Sequence, residues 1–329
     1  MDDCHGVRPA VSVVVPVYRS AQILPSLVAA TEAALRSAGL TGSFEIVLVC
    51  DASPDESWNV IRSLASEFAF VRGVCLRRNA GQHNATMAGL HHATGASIVI
   101  MDDDLQHPPA AIPLMLAELD KGYDVCYTRY RNRRHALWKK AGSWLNDVVA
   151  TALLGKPRDL YLSSFKAMRR EVALEVIRYD GPYAYVDGLI LDVTRSISSI
   201  EIEHGDRASG TGNYTLGRSL SLWMKMATSF SVYPLRVMAC IGALLGLASL
   251  LTIGYIVAAK FHDPSIQAGW TSLIATILFV GGAQLIGLGL IGEYLGRAYL
   301  KLNGKPQFVV RSVTWTDAGS PGAAPSPFP

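Results

Sequence analysis

Through the first two thirds of the chain, apolar and polar positions repeat one pattern. Mostly apolar runs at 11–15, 44–50, 71–76 and 97–101 are each followed by a polar break and then by apolar residues at helical spacing. Such runs read as strands buried on both faces. Pro16 is expected to end the first. Helices are predicted over 21–37 (stopped by Gly39), from Pro54 through Trp58, Ile61 and Leu64, and from Gln82 to Ala93. Further strands are predicted at 123–128, 159–168 and 200–202. Strands alternating with helices predict βαβ units and a mostly parallel sheet. Right-handed crossovers bring the strand ends together. Ligands of such sheets bind beyond the carboxyl ends of the strands. Tyr18, Asp51, Gln82 and the acids Asp102, Asp103 and Asp104 are therefore expected to rim one crevice.

The last third changes character. Residues 234–259 carry one charge, Arg236, and 269–296 carry one, Glu293. Each stretch is long enough to cross a hydrocarbon core, which takes about 20 residues. The link between them is short, so the pair predicts a membrane hairpin. Leu216, Leu220, Trp223, Met224 and Ala227 recur at helical spacing beside Arg218 and Lys225, which predicts an interfacial helix over 211–233. Residues 1–210 are then a soluble domain, 234–300 the hairpin and 301–329 a tail whose Pro-, Gly-, Ala- and Ser-rich end, 316–329, is expected to be disordered. Basic residues flank both spans (Arg218, Lys225 and Arg236 before, Arg297, Lys301, Lys305 and Arg311 after), while the link offers Lys260. By the positive-inside rule both flanks are expected in the cytosol. Gly242 and Gly246, and Gly292 and Gly296, have the spacing that allows close helix packing.

Half the residues are hydrophobic, 17% are charged, and the net charge of +3 is too small to argue for nucleic acid. None of the five cysteines forms a C-x-x-C pair, so they read as reduced core thiols. Residues 1–9 are polar and no secretory signal is expected there. No G-x-G-x-x-G follows the first strand, and no G-x-x-x-x-G-K-[ST] is present.

The candidate chemistry lies at strand ends. The run Ser97-Ile98-Val99-Ile100-Met101 ends in Asp102-Asp103-Asp104-Leu105-Gln106-His107-Pro108-Pro109. An acidic turn of this kind either faces water or meets a cation. Asp102 and Asp104, two apart, suit a Mg²⁺ ion that also binds substrate phosphates. Asp51 ends the second strand and is either a contact for a nucleoside or a helix cap. Arg129, Arg131, Arg133 and Arg134 follow the fifth strand and suit phosphate oxygens. Arg207 is a second candidate of that kind or a surface ion pair. His83 is set away from His91 and His92 by helical spacing, which argues against a histidine metal site.

These features resemble the family 2 glycosyltransferases, and within them the polyprenyl-phosphate glycosyltransferases. The resemblance rests on Val13-Val14-Val15-Pro16-Val17-Tyr18, on Asp51-Ala52-Ser53, on Arg77-Arg78-Asn79-Ala80-Gly81, on the D-x-D-L-Q-x-P-P run at Asp102, and on Ser163-Ser164-Phe165-Lys166-Ala167-Met168-Arg169-Arg170. It implies a GT-A (Rossmann-like α/β) catalytic domain, a UDP-sugar donor, Mg²⁺ or Mn²⁺, and a lipid acceptor such as undecaprenyl phosphate. It also implies an inner-membrane location and a homotetramer. By resemblance, Pro16, Tyr18, Asp51, Gln82, Asp102 and Asp103 serve the donor nucleotide. Asp102, Asp104 and Gln106 hold the metal, with Asp104 catalytic through it. Arg129, Arg133 and Arg207 meet anionic oxygens. Some relatives carry an acid, proposed as a base, where Ser164 stands here; Asp159 is the available substitute. The lysine of the family's G-x-S-K-Y loop is missing from Gly210-Thr211-Gly212-Asn213-Tyr214. An inactive nucleotide-sugar-binding scaffold is the alternative reading. A processive polysaccharide synthase is another, weakened by the absence of any Arg-Trp pair.

Overall fold

The computed structural model describes residues 8–130, 160–181, 184–202, 233–262 and 269–315. Residues 1–213 and 305–329 form one compact unit and 214–304 a second.

The first unit is built on one eight-stranded sheet. In chain order its strands are β1 (Val11–Val17), β2 (Phe44–Cys50), β3 (Val71–Leu76), β4 (Ser97–Ile100), β5 (Val125–Tyr130), β6 (Lys166–Arg169), β7 (Ile197–Ile202) and β8 (Val310–Val313). Their spatial order is β7-β5-β6-β4-β1-β2-β3-β8. The four central strands run parallel, as does β5 with β7. β6 is antiparallel to both β4 and β5. Every residue of β1 and β2 is buried, as expected of strands covered on both faces. The helices are α1 (Leu24–Ser37), α2 (Ser57–Glu67), α3 (Gln82–His92), α4 (Ile112–Asp120), α5 (Arg170–Val176) and α6 (Val186–Val193).

Pro16 does not end β1, contrary to the sequence-based expectation. The Val14 carbonyl accepts from Met101 on the β4 side, and the Val17 carbonyl accepts from Asp51 on the β2 side. By alternation Pro16 faces β4, whose last residue Ile100 pairs with Val14. No ladder partner stands opposite Pro16 there, so its missing N–H costs nothing. The stretch predicted as a strand over 159–168 is a strand only from Lys166. Just ahead of it the Phe165 carbonyl accepts both the Thr128 N–H at 3.2 Å and the Thr128 hydroxyl at 2.9 Å, and that hydroxyl lies 3.0 Å from the Ser163 hydroxyl, so side chains supplement the last backbone bond to β5.

Glycine sets how closely α3 lies on the sheet. A Cβ on Gly89 would run into Val14 and Val49, and this close approach carries the start of α3 to the strand ends. The three histidines of α3 contact different aromatic rings: His83 meets Tyr185, His91 meets Phe308 and His92 meets Trp315. Cys50, Cys75 and Cys126 are buried free thiols; burial pushes Cys50 up to about 11.

β8 was not expected from the sequence. It pairs antiparallel with β3, the Gly73 N–H donates to the Thr314 hydroxyl, and Arg72 stacks over the Trp315 ring at 4.1 Å. Arg72 also reaches Glu45 at 2.9 Å. Glu45 is buried and accepts from Ser12, the Thr94 hydroxyl and the Thr94 N–H. Burial works to raise its pKa, but these hydrogen bonds with Arg72 outweigh it and hold the carboxyl below its ordinary 4.5. A depressed carboxylate contributes stability above its unfolded pKa and loses it as pH falls through the folded one. Thermal unfolding in detergent is therefore expected to show stability falling as pH drops below 4.5, with a shallower fall in Glu45→Gln. Equal slopes would show that this carboxylate is not linked to folding.

The second unit contains α7 (Tyr233–His262) and α8 (Trp270–Leu302). Windows over Leu235–Thr252 and Phe279–Leu302, with mean hydropathy 1.9 and 1.2, are long and apolar enough to cross a membrane. Leu244, Leu250, Leu251, Leu285 and Leu295 are each about two-thirds exposed in the isolated chain, which suits lipid rather than water. A Cβ on Gly242, Gly246, Gly292 or Gly296 would meet nothing within 4 Å. Among the described residues of this chain these glycines make no close helix contact. The predicted interfacial helix, up to residue 232, and the tail from Thr316 lie outside the described residues.

Candidate active site

A cleft of about 350 Å³ opens at the carboxyl ends of β1, β2 and β4, lined by Pro16, Val17, Tyr18, Asp51, Asn79, Gly81, Gln82, Ala85, Asp102, Asp103 and Asp104. The three described non-glycine residues with positive φ, Arg19, Ala52 and Leu105, all stand in the turns leaving those strands. Backbone in that region costs about 1–3 kcal/mol per residue and persists only where its surroundings enforce it. Here the surroundings are a lattice of short hydrogen bonds between turns. The Arg19 N–H donates to Ser53 Oγ at 2.8 Å, the Ser20 N–H to Ser57 Oγ at 3.2 Å and the Ala21 N–H to Asp55 at 3.2 Å. Burial would raise the Asp55 pKa, but hydrogen bonds from Ser53, Ser57 and Ala21 hold it at about 2.

The acids divide the work. Asp51 is buried, and its two oxygens accept from the N–H groups of Ala80 (2.6 Å) and Gly81 (2.9 Å). It thus holds the loop ahead of α3, rather than capping a helix of its own. The Asp103 carboxylate accepts from the Tyr18 N–H at 3.0 Å and from the Ser20 hydroxyl, fixing the exit of β1. Burial, and to a smaller extent the Asp102 charge, raise its pKa against those bonds. Asp104 closes a local turn by accepting the Gln106 N–H at 3.1 Å. Asp102 takes Gln82 Nε2 on one oxygen and Ser164 Oγ on the other, both at 2.6 Å. Its N–H donates to His107 Nδ1 at 3.1 Å.

Among the described residues no three His, Cys, Asp or Glu side chains converge as a metal cage. A cation here would rest on Asp102 and Asp104 and take its other ligands from substrate phosphate and water. That donor set suits Mg²⁺ or Mn²⁺, which favour one or two carboxylates with phosphate oxygens. Gln106 Nε2 is buried with no hydrogen-bond partner among the described residues; as a ligand, Gln106 would have to offer its Oε1.

Next to the cleft, Lys166 and Asp187 form a buried ion pair. The Tyr127 hydroxyl donates to the same Asp187 oxygen at 3.0 Å. Burial and the Asp187 charge raise the Tyr127 pKa well above its usual value. Burial lowers that of His83, at the start of α3.

The profile of glycosyl transferase family 2 matches residues 12–177, half of the chain, and spans every acid of the cleft. The chain belongs to glycosyl transferase family 2. The GtrB C-terminal hairpin matches residues 233–298, which are α7 and most of α8. An undecaprenyl-phosphate 4-deoxy-4-formamido-L-arabinose transferase of Pseudomonas fluorescens is 34% identical over 317 residues, 95% of this chain and 93% of that one. A transferase of the same name from Enterobacter sp. is 33% identical over 306 residues, 92% and 93% of the two chains. A mannosyltransferase of Pyrobaculum calidifontis solved with GDP-Man and Mn²⁺ has a TM-score of 0.44 at 18% identity, covering 89% of this chain and 85% of that one.

For this family 2 chain, the structure brings Pro16, Tyr18, Asp51, Gln82, Asp102, Asp103 and Asp104 around one cleft. Gln106 stands on the following turn, and Arg129 is exposed near the end of β5. Asp159, Arg133 and Arg207 lie outside the described residues. Sequence reasoning missed Asn79 as a lining residue, Ser20, Ser53, Ser57 and Asp55 as the stitching of the turns, and His107 as a partner of Asp102. Asp55 and Ser57 carried a signal, an acid two residues ahead of a helix start.

Proposed function

We propose that this chain is a membrane-bound, metal-dependent, inverting glycosyltransferase that moves a sugar from a UDP-sugar to a polyprenyl phosphate. The observation that carries the reading is the cleft at the strand ends, with Asp102 and Asp104 on one turn, in a chain that also holds a GtrB-type hairpin. The names of the relatives support undecaprenyl phosphate as acceptor and include 4-deoxy-4-formamido-L-arabinose among candidate sugars.

Pro16, Tyr18 and the loop held by Asp51 form the nucleoside end of the cleft. Asp102 and Asp104 meet the diphosphate end, where a bound Mg²⁺ or Mn²⁺ offsets negative charge on the departing UDP. An acceptor phosphate oxygen bonds to the anomeric carbon. The bond from that carbon to the UDP β-phosphate oxygen breaks, and its electron pair leaves with UDP. Attack opposite the leaving group inverts the centre. A phosphate monoester has a second pKa of about 6 and is mostly dianionic at neutral pH, so positioning matters more than a base. Arg129, with Arg133 and Arg207, is assigned to steering the anionic acceptor.

The same reading places both hairpin flanks in the cytosol. β8 follows α8 and pairs with β3 of the catalytic sheet. A chain that leaves this sheet after β7 and rejoins it at β8 must cross the membrane an even number of times or not at all. Two crossings agree with the distribution of Lys and Arg around the spans. The test is product analysis: radiolabelled sugar from a UDP-sugar is expected in the organic extract only with undecaprenyl phosphate, with the opposite anomeric configuration by NMR. Label in water-soluble glycan or retained configuration would contradict the proposal.

A further inference from the structure

We infer that Ser164 and His107 are positioning residues that fix the Asp102 carboxylate for the donor, so that position 164 serves the nucleotide side of the site and not proton removal from the acceptor. The inference deepens the proposed function and rests on its assignment of Asp102 to the diphosphate end.

His107 is 4% exposed and stacks on Phe165, ring centroids 5.0 Å apart and 15° from parallel. Its Nδ1 accepts the Asp102 N–H, so in the neutral ring the proton sits on Nε2. Nε2 faces Ser164 Oγ at 3.4 Å and the Asp102 carboxylate at 3.8 Å. A hydroxyl has a single proton. With Nε2–H directed at Oγ, that proton goes to Asp102 Oδ2, 2.6 Å away. His107 therefore grips Asp102 twice, through its backbone and through Ser164. Gln82 holds the other carboxylate oxygen. One rotamer of Asp102 satisfies all three, and it is set before any ligand arrives.

The arrangement also explains the serine. An acid at position 164 would press a second carboxylate against Asp102 at hydrogen-bond distance, where like charges oppose joint ionisation. The hydroxyl instead donates. Partners that orient a metal-binding carboxylate are typically worth 10–100-fold in metal affinity.

The full-length protein in detergent is titrated with Mn²⁺ in the presence of UDP, with free Mn²⁺ read by EPR. Ser164→Ala is expected to weaken Mn²⁺ binding about 10-fold. Its melting temperature is expected to change little, because Ser164 is only half-buried. Ser164→Thr, which keeps the hydroxyl, is expected to restore binding. His107→Gln is expected to weaken Mn²⁺ binding in the same direction, and the double variant to be no weaker than the worse single one, because the Ser164 bond to Asp102 is itself directed by His107. Unchanged Mn²⁺ binding in Ser164→Ala, or additive losses in the double variant, would overturn the inference while leaving the transfer reaction untouched. Absence of metal-linked UDP binding in the unaltered protein would overturn both. Normal Mn²⁺·UDP binding without sugar transfer would overturn the proposed function alone.

Discussion

Asp104→Asn is expected to lower sugar transfer by at least about 10³-fold, equivalent to about 4 kcal/mol of transition-state stabilisation. The fold is expected to survive. The structural bond of Asp104 runs from the Gln106 N–H to Oδ1, and an asparagine oxygen can accept it in the same geometry, only more weakly for want of the charge. What the variant loses is a negative charge lining the cleft, at the end the proposed function assigns to the diphosphate. Steady-state UDP release together with a melting curve checks it. Transfer near the unaltered rate would remove Asp104 from the metal and donor site. A collapse of the melting temperature would instead assign it to the fold.

Lys166→Met is expected to act in the opposite manner, through stability. Lys166 and Asp187 are 3% and 7% exposed, and removing one partner leaves a buried charge uncompensated. Such a loss typically costs about 3–5 kcal/mol. The Tyr127 hydroxyl remains on Asp187 but carries no charge. Lys166→Met/Asp187→Leu is expected to recover much of the loss, since removing both charges removes the penalty. Unfolding of the two single variants and the double variant in detergent gives the coupling directly. A cost under about 1 kcal/mol for the single change would mean that solvent reaches the pair.

The parts of this molecule that were legible in the sequence are those encoded locally. Mostly apolar runs marked the four central strands, and the acids after the fourth run stood where chain reversal had to place them. The alternation of strand and helix was enough to gather Tyr18, Asp51, Gln82 and Asp102 from separate segments, because right-handed crossovers leave little choice. What escaped depends on distant partners. β8 is short and follows a membrane helix, and its anchor Thr314 meets Gly73 across 241 positions. Ser164 reaches Asp102 across 62 positions, and its hydroxyl looks like the loss of an acid until that partner is seen. Pro16 misled for a related reason. A proline inside a central strand is costly unless the neighbouring strand has already ended, and the end of β4 is visible only in the pairing register.

The measurement closest to the central claim is UDP release by the detergent-purified protein. It is run with a panel of UDP-sugars that includes UDP-4-deoxy-4-formamido-L-arabinose, with and without undecaprenyl phosphate, and with Mg²⁺ or EDTA. Release for at least one sugar, requiring both the lipid phosphate and the metal, is the predicted result and names the donor. UDP binding without release for any sugar would contradict it and favour a nucleotide-sugar-binding scaffold.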